Sequence, residues 1–137
     1  MGQLTFQELL KADNRPHDHT HADSVTVLGD GCVDPGAVLD LLEEPPAGVY
    51  RMKGTIAVRF RGAVRRYVVN VVGASVHVAP AGANAQAGSV ANSLVAIGMH
   101  LDTDGVRAAV SSALAPVDTP AAAPDIRRLQ RYRRLSI

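Results

Sequence analysis

Cysteine is nearly absent from this sequence: Cys32 is the one thiol in 137 residues. A lone cysteine excludes an internal disulfide, and it excludes a thiolate-built zinc site, which draws on several sulfurs. Its flanks, Gly31 and Val33, suggest a small packed residue rather than a nucleophile, since no His/Asp set accompanies it. Aromatic residues are scarce at 4%, which counts against single-strand nucleic-acid readers that stack bases on ring faces. No apolar run approaches the ~20 residues needed to cross a bilayer, and the opening residues lack the charged, apolar and small-residue order of a secretory leader. There is no Gly-x-x-x-x-Gly-Lys-Ser/Thr loop to cradle phosphates, and no nucleophile–base or carboxylate pair stands out. These absences predict a cytoplasmic chain without a membrane partner, without bound nucleotide and without enzymatic chemistry of its own.

Acidic residues are missing from one long stretch. Residues 45–101 carry Arg51, Lys53, Arg59, Arg61, Arg65 and Arg66 and no Asp or Glu, whereas residues 1–44 hold nine acids against Lys11 and Arg15. The formal net charge of +1 hides this segregation, which says more about partners than the total does.

Hydrophobic residues make up 47% of the chain, enough for one core. Ser24–Leu28 is β-branched and short, a strand. Asp34-Pro35 opens a helix, with Asp34 as N-cap and proline at the first helical position; Val38, Leu41 and Leu42 form its predicted buried stripe and Pro45-Pro46 ends it. In residues 49–61, Tyr50, Met52, Gly54, Ile56, Val58 and Phe60 alternate with Val49, Arg51, Lys53, Thr55, Ala57, Arg59 and Arg61, the period of a strand with one dry and one wet face. Gly62-Ala63 allows a hairpin into residues 64–72, and Gly73-Ala74-Ser75 another into residues 76–78. Residues 81–92 are low in complexity and read as a loop. Leu94–Met99 is apolar on both faces, as in an interior strand. Asp102 or Thr103 caps a last helix through Leu114, buried along Val106, Ala109, Val110 and Ala113. The order β-α-β-β-β-β-α predicts an α+β, two-layer sandwich: a mainly antiparallel sheet with two helices on one face. Residues 24–114 form the domain. Residues 1–23 precede it as a stub and His-rich loop, and residues 115–137 follow as a Pro/Ala linker and basic tail, a flexible or self-docked terminus in which Ile126, Leu129 and, less regularly, Tyr132 can line one helical face.

Two features carry candidate chemistry. His17, His19 and His21 alternate, so an extended backbone sets all three imidazoles on one side, with Asp18 or Asp23 able to add an oxygen. Neutral imidazole suits zinc, cobalt or nickel; closing a loop on the metal costs ~1–2 kcal/mol of backbone entropy per residue, which favours weak, transient capture. Arg51, Lys53, Arg59 and Arg61 lie on the wet face of the long strand, a candidate docking surface for a neighbouring domain or an acidic client.

Several stretches resemble one family. Gly48-Val49-Tyr50-Arg51-Met52-Lys53-Gly54, following a proline-ended helix, resembles the hallmark strand of the CobW C-terminal domain. Leu94-Val95-Ala96-Ile97-Gly98, then Leu101-Asp102 and an Ala-rich helix, is similar to that domain's closing strand and helix, and Tyr67–Val71 falls where its middle strands lie. The string His17-Asp18-His19-Thr20-His21-Ala22-Asp23 resembles the histidine-rich segment of many members, and Gly2–Phe6 the end of the preceding GTPase domain. The resemblance implies a C-terminal module of P-loop GTPases that deliver zinc or cobalt to client metalloproteins or serve cobalamin synthesis. The sequence departs from the family in lacking both the phosphate loop and the Cys-x-Cys-Cys metal motif, so GTP hydrolysis is expected to belong to a partner segment. A different reading is a nucleic-acid-binding module that uses the basic hairpin 51–66 and the Arg-rich tail.

Overall fold

The computed structural model describes residues 22–81 and 89–135, the side chain of Arg134 excepted. Five strands, β1 (Asp23–Asp30), β2 (Val49–Phe60), β3 (Ala63–Val72), β4 (Ser75–Pro80) and β5 (Ala91–Gly98), form one antiparallel sheet in the order β1-β5-β2-β3-β4. Among the described residues three helices accompany it: α1 (Pro35–Glu43), α2 (Thr103–Ala113) and α3 (Ala123–Leu135). The expected antiparallel sheet and two-layer α+β plan are present, and β5 is interior, between β1 and β2.

Alternation along β2 builds the core. Met52, Ile56 and Val58 are fully buried and join Val69, Val71 and Leu94 from the neighbouring strands in a single cluster. The pattern fails at its start, where Tyr50 is 46% exposed instead of buried. The β2–β5 register shifts between Val49 and Arg51; the extra residue of this bulge rotates the strand entry, so Val49 packs on the core and Tyr50 turns out. The β2–β3 turn is also tighter than expected. Phe60 pairs with Ala63, and Arg61 and Gly62 both take positive φ, 53° and 76°, as a two-residue turn matched to strand twist requires.

The helices follow their caps. Asp34 Oδ1 accepts from Gly36 N at 3.0 Å and Asp102 Oδ1 from Gly105 N at 3.1 Å, each satisfying an amide with no partner inside the helix. In α1 Val38, Leu39 and Leu42 are buried together with Pro35 and Gly36, and Leu41 is only half-buried. Helix α1 lies between α2 and α3, so its contact surface is wider than the single stripe read from sequence. Gly54 lies where β5 comes closest, since a Cβ there would stand 2.0 Å from Ser93 O.

The helix α3 corrects the two-helix expectation. Ile126 and Leu129 are buried and Tyr132 packs beside them, placing α3 against β4 and α1. With only α1 and α2, the β3–β4 half of the core face would stand open; the apolar spacing of α3 matches that gap. Arg128 Nη2 lies 3.1 Å from both Asp40 and Glu43, and Tyr132 Oη donates to Glu43. The preceding segment is strapped down: Val117 N donates to Cys32 O at 2.9 Å and Ala121 N to Arg59 O at 2.8 Å. The exposed backbone of edge strand β1 is partly covered as well, because Arg107 Nη1 donates to Thr26 O at 3.0 Å.

Strand β5 starts earlier than expected, at Ala91, and contains the buried polar side chain of Asn92. Its Oδ1 accepts from Ala57 N at 2.7 Å, and its Nδ2 donates to Gly31 O at 2.6 Å and Val90 O at 3.1 Å. One amide side chain thus joins β1's exit, β2 and β5 where β2 runs on past the end of β5.

Candidate docking face

The sheet face turned away from the helices is the candidate site. Residues 51, 53, 55, 57 and 59 of β2 point opposite to Met52, Ile56 and Val58. Pairing sets Arg51 beside Ile97 and Val72, Lys53 beside Val95 and Asn70, and Thr55 beside Ser93 and Val68. The buried residues of all three described helices join the cluster on the other face, so among the described residues no helix covers this one. At its margins Leu28 is 75% exposed and Val72 52%.

Two hollows meet on this surface. One, of about 530 Å3, is floored by Val68, Val95 and Ile97 and flanked by Arg51 and Lys53. The other, of about 460 Å3, runs toward Leu28, Asp30 and Arg66, and the two share Thr55 and Ser93. Among the described residues, Arg51, Lys53 and Arg59 form no ion pair; the ion pairs there belong to Arg128. Arg66 Nε and Asn70 Oδ1 are buried and without a hydrogen-bond partner among the described residues. Such atoms cost free energy unless something supplies the missing bond.

Of the sequence-predicted docking residues, Arg51, Lys53 and Arg59 come together on the open face. Arg61 does not join them: it sits in the hairpin turn with its guanidinium carbon 5.0 Å from the Phe60 ring centroid. Of the predicted metal ligands, His17, Asp18, His19 and His21 lie outside the described residues. Asp23 is described, and its Oδ2 accepts from Leu101 N at 3.0 Å, tying the edge strand to the entry of α2. Among the described residues no group of three or more His, Cys, Asp or Glu side chains is placed to hold a metal. His77 and His100 are exposed and apart from one another, and Cys32 is buried.

Sequence reasoning missed Arg66, Asn70 and the apolar floor. The signal lay in β3 and β5, where Val68 and Val72, Val95 and Ile97 make the second face apolar as well. A sheet apolar on both faces calls for cover on both.

The model of the cobalamin synthesis protein CobW C-terminal domain matches residues 22–114. This chain belongs to that family. Its CobW C-terminal domain spans β1 through α2, and α3 lies beyond the match. No curated protein matched the chain. Two solved structures resemble it: the Zn(II)-bound YjiA GTPase from E. coli, at 21% identity and TM-score 0.48, and a Zn(II)-bound triple mutant of YjiA GTPase, at 20% and 0.49. Each likeness covers 82% of this chain and 33% of the solved chain, so the CobW C-terminal domain described here spans about a third of their length. No helix among the described residues is long and apolar enough to cross a membrane.

Proposed function

We propose that this CobW C-terminal domain is a non-catalytic accessory module of a CobW-type metal-handling GTPase, acting in the cytoplasm in zinc or cobalt delivery or in cobalamin synthesis. Its open sheet face docks the GTPase domain or a client metalloprotein, and His17, His19 and His21, with Asp18 or Asp23, capture the metal transiently. The observation that supports docking is the face itself: among the described residues, its cations have no counterion and its apolar floor is covered by no helix. Complementary charge of this kind speeds encounter and fixes register.

The histidines suit borderline metals because neutral imidazole offers a nitrogen lone pair. Protons compete for the same lone pair, so capture weakens as pH falls through the ordinary histidine range near ~6.5. The test is calorimetric titration of zinc and of cobalt into the full chain and into a His17→Ala, His19→Ala, His21→Ala triple variant. Loss of binding with an unchanged urea transition supports capture by the string. Undiminished binding in the triple variant removes that role.

A further inference from the structure

The open face differs from an ordinary solvated sheet face in two ways that point to the same occupant. Its floor is apolar, through Val68, Val95 and Ile97. Its cations Arg51, Lys53 and Arg59 have no ion-pair partner among the described residues. A dry floor wants apolar side chains, and the cations want carboxylates.

Dimensions select the form of the partner. From Arg51 to Arg59 the strand runs about 26 Å, the length of about five turns of α-helix. A helix is ~10 Å wide, close to the span of three strands at ~4.8 Å spacing, here β5, β2 and β3. An extended segment would instead seek a sheet edge, where free backbone groups can pair; the face offers none. No aromatic ring lines either hollow, so nucleic-acid bases have nothing to stack on.

We infer that this face seats an amphipathic α-helix from a partner protein, with its apolar stripe over Val68, Val95 and Ile97 and flanking carboxylates against Arg51, Lys53 and Arg59. The inference rests on the docking function proposed above and specifies the chemistry of what docks.

The probe is a synthetic peptide of about 18 residues with a leucine stripe flanked by glutamates, compared with the same stripe flanked by lysines and with a single-stranded DNA oligonucleotide. Binding to the full chain is followed by fluorescence anisotropy, and the contact surface by amide chemical shifts. The glutamate peptide is expected to bind, shifting Lys53, Val68 and Val95 while α1, α2 and α3 stay quiet. Combined Arg51→Glu and Lys53→Glu substitutions weaken that peptide about tenfold or more and reverse the preference toward the lysine peptide, a rescue that misfolding cannot imitate. Equal binding of both peptides, shifts confined to the helices, or oligonucleotide binding in place of peptide binding overturns the inference. A CobW-type GTPase domain is titrated in parallel. If it binds wild type and not the double variant while the glutamate peptide fails, docking stands and the helical partner falls. If neither binds, both fall.

Discussion

Removing the Asn92 side chain should be among the most damaging single changes to this domain, although the residue lies in a stretch that reads as loop. Asn92→Ala deletes one acceptor and two donors. The largest loss falls on Ala57, which is fully buried and whose amide would have no other partner. A buried donor left unsatisfied costs ~1–3 kcal/mol, and each further bond lost costs roughly 0.5–1.5 kcal/mol. Together these give a destabilisation of about 2–6 kcal/mol, a large share of the ~5–15 kcal/mol that holds a small domain. With a urea slope of roughly 1.5–2 kcal/mol per molar, the midpoint should fall by about 1–4 M. Asn92→Asp adds a control. It keeps the acceptor for Ala57 but sets a carboxylate against the carbonyl oxygens of Gly31 and Val90. Burial and those oxygens disfavour the charged form, so its folded-state pKa lies above the unfolded one. The folded protein then binds the proton more tightly, and the variant regains stability as pH falls. A midpoint within experimental error of wild type for Asn92→Ala would refute the clamp.

Two further outcomes test the third helix. Leu129→Ala should cost about 2–5 kcal/mol in urea or thermal unfolding, because the side chain is fully buried in the common core; a neutral result would mean that α3 is dispensable to the fold. The Tyr132 phenol is held above its ordinary pKa, first by its hydrogen bond to Glu43 and then by burial and the Glu43 charge. A raised folded-state value means the contribution is complete below the unfolded pKa near ~10 and is lost as pH rises through the folded value. Wild type should therefore lose stability on the alkaline side of that window more than Tyr132→Phe does, as read from urea midpoints. Arg128, where burial opposes the charge but hydrogen bonds and charge from Glu43 and Asp40 prevail, stays protonated throughout and does not confuse the reading.

Much of the candidate site was legible because strand alternation is a local rule. Once 49–61 is a strand, Arg51, Lys53 and Arg59 must share a face with Thr55 and Ala57. What the rule could not supply was the neighbours. That Val95 and Asn70 flank Lys53 follows from the register of β5 and β3, which is set by pairing partners distant in sequence. Tyr50 escaped the pattern because a bulge is a property of two strands together, and Arg61 left the face because the turn claimed it.

The sequence by itself determined the alternating β2, both helix caps, the antiparallel hairpins β2–β3 and β3–β4 and the family resemblance, since each depends on residues adjacent in the chain or at fixed helical and strand spacing. Tertiary structure decided the rest. It turned the basic tail into a core helix, because Ile126 and Leu129 meet an uncovered half of the sheet. It made Asn92 a clamp rather than a loop residue, because the amides and carbonyls it serves come from three separate segments. Local spacing encodes which way a side chain points; what it points at depends on distant segments brought together by burial.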